Sequence, residues 1–127
     1  MHAVLAICLG ASAGALARWR LGLWLNHPGA WLPWGTLASN LIGGYLIGLV
    51  LGWAQQADLA PLWRLLLVTG FLGALTTFSS FSAEVLEMML AGRWAQALAT
   101  STLHLAGSLA LTWAGLLSAR LWAAGGA

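Results

Sequence analysis

The sequence contains no lysine and only three acids, Asp58, Glu84 and Glu87, and charged residues make up 6% of its 127 positions. A soluble domain carries about 25%. Too few polar side chains remain to cover a surface in water, which excludes an ordinary soluble protein. The five arginines leave a formal charge of +2 but are scattered along the chain, so no basic patch for nucleic acid exists. The single cysteine, Cys8, excludes an internal disulfide and reads as a small apolar packing residue. No basic stretch precedes the first apolar run, and Arg18 and Arg20 follow it. Although Ala11-Ser12-Ala13 looks like a cleavage site, the run is therefore expected to be an uncleaved span rather than a signal peptide. No nucleophile–base arrangement or phosphate loop is present, so the chain is not expected to be an enzyme.

Apolar residues make up 61% of the chain. A helix needs about 20 apolar residues to cross a bilayer core of about 30 Å. The length leaves room for four spans, read at 3–25, 33–53, 62–90 and 94–122, within a single membrane domain over 1–127. Between them lie Asn26-His27-Pro28-Gly29 and the polar loop Gln55-Gln56-Ala57-Asp58, and a loose Ala-Gly tail follows. Of nine tryptophans, Trp24, Trp31, Trp34, Trp53, Trp63, Trp94 and Trp122 fall near span ends, where indole prefers the headgroup region.

Glycines recur four residues apart at Gly10 and Gly14, then at Gly44, Gly48 and Gly52. Such stripes let helix backbones approach closely in lipid. Four spans place Arg64 and Arg120 on one side and Arg18, Arg20 and Arg93 on the other. That balance gives almost no orientation preference under the positive-inside rule. Copies inserted both ways up are expected to pair about a two-fold axis in the membrane plane.

The third span holds the most distinctive segment, Gly70-Phe71-Leu72-Gly73-Ala74-Leu75-Thr76-Thr77-Phe78-Ser79-Ser80-Phe81-Ser82. Glycine, threonine and serine are poor helix formers, and hydroxyls compete for backbone hydrogen bonds. Two readings stand side by side: a helix packed through small residues, or a break whose freed carbonyls bind a cation. The second span adds Asn40, and the fourth sets Ser101, His104, Ser108 and Thr112 on one helical face. Hydroxyl and amide donors can replace the hydration of an anion without trapping it. The edges of Phe78 and Phe81, the positive ends of their ring quadrupoles, suit the same ion, although core packing is the commoner use of phenylalanine. Arg18 either faces an aqueous vestibule and concentrates anions or snorkels to headgroups. Glu84 sits at the interface or is buried and functional. His104 has no second ligand at metal spacing and receives no firm role.

With these residues in place, the sequence resembles the Fluc family of fluoride channels, also called CrcB, over nearly its whole length. The resemblance rests on Gly10-x-x-x-Gly14-x-x-x-Arg18-Trp19, on Gly35-Thr36-Leu37-x-x-Asn40-x-x-Gly43, and above all on the third-span segment. It implies an all-α integral membrane protein of four transmembrane helices with a broken third helix, assembled as an antiparallel dual-topology homodimer. Two pores would pass fluoride selectively and passively beside Asn40, Phe78 and Phe81, along hydroxyls of Ser79, Ser80, Ser108 and Thr112. Arg18 would stand at the vestibule. A structural sodium ion at the dimer centre would be held by backbone carbonyls of Gly73 and Thr76. A bacterial inner membrane is the expected location, with fluoride export relieving toxicity. Ser80 stands where many members are expected to have threonine; it keeps the hydroxyl and lacks the methyl. The alternative, a small dual-topology multidrug-type cation/proton exporter, needs an acid deep in the membrane. A non-transporting membrane subunit would explain the glycines but leave the hydroxyl–phenylalanine segment without a purpose.

Overall fold

The computed structural model describes residues 1–56 and 58–125, so Ala57 of the polar loop and residues 126–127 of the tail lie outside the described residues. Four helical passages, each long and apolar enough to cross a membrane, cover His2–Leu25, Trp34–Ala54, Pro61–Leu90 and Trp94–Gly125. The first two are α1 (His2–Leu25) and α2 (Trp34–Ala54). The third passage begins as α3 (Pro61–Arg64), widens into a π-helix at Leu65–Leu72, and tightens again in α4 (Gly73–Leu75). It resumes as α5 (Phe78–Leu90), and the last passage is α6 (Trp94–Gly125). α6 includes Ala123, Ala124 and Gly125, where the sequence suggested a loose tail; alanine, the strongest helix former, extends the last turns.

The packing is that of a membrane bundle. Its interior mixes small residues, including Ala6, Ala97, Ala119, Gly10, Gly14, Gly48 and Gly115, with the larger Leu37, Leu72, Leu75 and Met88. Its outer faces expose Leu16, Leu23, Leu98, Leu105, Leu109 and Leu121, together with Trp24, Trp53, Trp63, Trp94 and Trp122. This apolar exterior is stable only in lipid. Arg20 lies 5.3 Å from the ring centroid of Trp24, a cation–π contact near the end of α1.

Between helices, dispersion and close backbone approach replace the hydrophobic drive of water. A Cβ at Gly10 would overlap the carbonyl oxygen of Leu66, and one at Gly14 that of Phe71. Gly48 meets the Thr112 carbonyl in the same way, while Gly115 meets that of Tyr45, so α2 and α6 grip each other reciprocally. The Tyr45 hydroxyl adds a 3.2 Å hydrogen bond to Ser118 Oγ across this seam. Gly48→Leu forces these helices apart and is expected to destabilise the fold by about 1–3 kcal/mol or more. A lowered thermal midpoint in detergent checks this, and an unchanged midpoint contradicts the contact.

The turn from α5 to α6 is closed by Gly92, whose φ of 72° suits only glycine without strain. Arg93 N–H donates to Met88 O and Gly92 N–H to Met89 O. This Schellman pattern satisfies carbonyls at the end of α5. It brings α6 back along the third passage, against the site described next.

Candidate functional site

The third passage leaves helical geometry at two residues. Thr76 has ψ 152° and Thr77 has φ −149° and ψ 117°, both extended. Thr77 caps α5, its Oγ1 accepting from Ser80 N–H at 3.1 Å. The same Oγ1 lies 3.1 Å from Ser80 Oγ and 3.2 Å from Ser79 Oγ. Threonine suits this place because an N-cap hydroxyl replaces a missing helical acceptor. In a continuous helix the amides of Thr77 and Ser80 would bond to the carbonyls of Gly73 and Thr76. Here both amides go elsewhere, so these two carbonyls lose their helical donors.

Asn40 of α2 holds the extended segment. Its Oδ1 accepts from Thr77 N–H at 2.8 Å, and its Nδ2 donates to Thr77 O at 3.0 Å. This pair fixes the orientation of the amide. Nδ2 also lies 3.0 Å from His104 Nδ1, and since an amide nitrogen only donates, Nδ1 must be the acceptor. The neutral imidazole then carries its proton on Nε2. That nitrogen is buried without a protein partner, whereas both hydrogens of Asn40 Nδ2 are engaged. His104 itself is buried and stacks on Phe81 with centroids 4.6 Å apart; Phe81 in turn lies 5.4 Å from Phe78.

These residues border an open groove of about 670 Å³ along the bundle's side. Asn40, Thr76, Thr77, Phe78, Phe81 and His104 line it, with Ser101 and Ser108 of α6. Phe78 is 79% exposed. Aromatic rings and few polar groups line the groove, and one of its lining residues, His104, carries a buried, unpartnered N–H, which is chemistry for a small anion stripped of some water.

The CrcB-like protein, Camphor Resistance (CrcB) family matches residues 5–116. The chain belongs to that family. The fluoride-specific ion channel FluC of Albidiferax ferrireducens is 65% identical over 120 residues, covering 94% of this chain and 92% of that protein. The protein of the same name from Variovorax paradoxus is 60% identical over 122 residues, covering 95% and 97%. That from Paracidovorax citrulli is 60% identical over 119 residues, covering 93% and 94%.

In this CrcB-like chain the groove gathers Asn40, Gly73, Thr76, Phe78, Phe81 and Ser108 from the residues singled out in the sequence. Ser79, Ser80 and Thr112 stand outside its wall. The two serines turn their hydroxyls to Thr77, and Thr112 Oγ1 donates back to Ser108 O. Arg18 lies off the groove, its Nε donating to Ala74 O at 3.0 Å. Glu84, midway along α5, is partly buried and accepts from the Thr36 hydroxyl, while Glu87 is exposed. Thr77 and His104 are the residues whose part the sequence left unassigned. The signal for Thr77 was its place before Phe78-x-x-Phe81; for His104 it was the polar stripe of the fourth span.

Proposed function

We propose that this chain is the protomer of a passive, selective fluoride channel that lets cytoplasmic fluoride leave the cell. The observation that carries the reading is the groove itself, in which Phe78, Phe81 and His104 converge beside the extended segment Thr76–Thr77. The name shared by the relatives supports the choice of ion. Fluoride is a small, strongly hydrated anion, so a pore must return hydrogen-bond donors and positive ring edges for the water it removes. Asn40 offers its amide only by releasing an acceptor, and His104 Nε2–H is the donor left without one. Ser108 continues the polar line along α6; Ser79, Ser80 and Thr112 join it when their hydroxyls rotate from their present partners.

In this reading the groove is completed by a second, antiparallel copy, giving two pores per dimer in a bacterial inner membrane. The exposed face of Phe78 and the two-against-three split of arginines support that assembly. Tags on both termini should then be accessible from both sides of the membrane, and a single orientation would contradict it. Sodium fits the carbonyls of Gly73 and Thr76, because both lose their helical donors at the extended segment. Among the described residues no cluster of three His, Cys, Asp or Glu side chains competes for a metal. Bound there, the cation would supply positive charge and fix the two half-helices at the dimer centre.

Liposomes holding the purified protein test the function. Fluoride efflux under a potassium-set voltage is expected without matching chloride efflux. Absence of fluoride efflux from folded, inserted protein overturns the assignment.

A further inference from the structure

We infer that Arg18 is a positioning residue that holds the end of the half-helix before Thr76, acting through the backbone rather than through its field on arriving ions. As a statement about conduction, it rests on the fluoride-channel reading. Gly10, Gly14 and Arg18 recur every four residues and so share one face of α1. The two glycines bring that face into backbone contact with the third passage, Gly10 at the Leu66 carbonyl and Gly14 at the Phe71 carbonyl and Leu75 amide. One turn further on, the same face presents Arg18, whose Nε donates to Ala74 O at 3.0 Å.

That carbonyl has a specific need. In a continuous helix the Phe78 amide would bond to it. Extended Thr76 and Thr77 separate the two half-helices, leaving Ala74 at a helix C-terminus. Such ends carry partial negative charge and favour a cationic donor. Arg18 supplies the missing donor from another helix, as Asn40 supplies a donor to Thr77 O and an acceptor to Thr77 N–H. These two clamps, at Ala74 and Thr77, enclose Leu75 and Thr76, with Gly73 just before them and Phe78 just after. An arginine that only snorkels would extend to headgroups, and its Nε would have no reason to engage this carbonyl.

The length of the side chain separates position from charge. Glutamine places its Nε2 at the same number of bonds from Cα as arginine Nε, so Arg18→Gln keeps an N–H at that position and removes the charge. Arg18→Lys keeps the charge and moves the donor one atom further along the chain. Both variants and Arg18→Ala are compared with wild type in liposomes, measuring efflux across a range of fluoride concentrations. Hydrogen exchange at the Thr77 and Ser80 amides is followed in the same proteins. Positioning predicts that Arg18→Gln keeps most of the maximal flux and the amide protection. Arg18→Lys and Arg18→Ala should then lose flux at every fluoride concentration, with exchange at these amides faster by about tenfold or more.

Near-normal Arg18→Lys, with Arg18→Gln losing flux only at low fluoride, overturns the inference in favour of a vestibule field. Equal loss in both variants, or none in either, overturns it as well. If wild type passes no fluoride, the proposed function falls. The exchange data then still decide whether Arg18 holds the half-helix.

Discussion

Asn40→Ala is expected to cut fluoride efflux by about a hundredfold or more, with the protein still folded and inserted. The substitution strands the amide and carbonyl of Thr77 and the Nδ1 of His104, all of which Asn40 now satisfies. A buried polar group left unpaired costs about 1–3 kcal/mol. Each 1.36 kcal/mol is a factor of ten in rate when it bears on the conducting arrangement. Two such groups are enough for the expected loss. The chain's principal seams, between α1 and the third passage and between α2 and α6 at Gly48 and Gly115, do not depend on Asn40.

Asn40→Asp sharpens the test, because it keeps an acceptor for Thr77 N–H but has no donor for Thr77 O or His104 Nδ1. It is expected to fall nearly as far as alanine. Efflux rates and gel-filtration profiles check both variants. Wild-type flux in Asn40→Ala would show that the extended segment holds itself. A companion pair isolates His104: Gln in its place keeps a donor near Nε2, whereas Asn keeps a polar atom near Nδ1 only. Faster efflux from His104→Gln than from His104→Asn is expected if the Nε2 proton faces the ion.

The membrane bundle was legible because lipid imposes composition. With 6% charged residues and tryptophans near the span ends, four apolar passages were nearly forced. The Gly70–Ser82 segment was legible as unusual because hydroxyl residues and glycine weaken a helix. Its partners were not. Asn40 and Thr77 are 37 positions apart, and Asn40 and His104 are 64. Spacing along one helix reports only neighbours on that helix. The direction of small hydroxyls was hidden for a different reason. Ser79 and Ser80 sit within one turn of Thr77, and Thr112 is one turn from Ser108 O, so each meets a nearby partner without turning to the groove. Arg18 was weighed between vestibule and headgroups, since nothing in its sequence context revealed a bare carbonyl across the helix seam.

Phe78→Ile and Phe81→Ile are expected to reduce fluoride efflux by at least about tenfold while differing in their effect on stability. Isoleucine keeps an apolar side chain but has no ring, so the positive edge that the proposed pore would turn to an anion disappears. An ion that sheds water without replacement pays a penalty of several kcal/mol, and tenfold in flux corresponds to about 1.36 kcal/mol of it. Phe78 is 79% exposed, so its loss should change the chain's stability by no more than about 0.5 kcal/mol. Phe81 touches both Phe78 and His104, and removing its stacking should cost about 0.5–1.5 kcal/mol more. Loss of flux from a well-folded Phe78→Ile protein would therefore separate conduction from packing. If flux survives in Phe78→Ile but falls in Phe81→Ile in step with stability, the rings serve the fold, and the ion's path lies elsewhere. If both lose flux while only Phe81→Ile loses stability, the ring edges carry the ion past the extended segment that Asn40 holds in place.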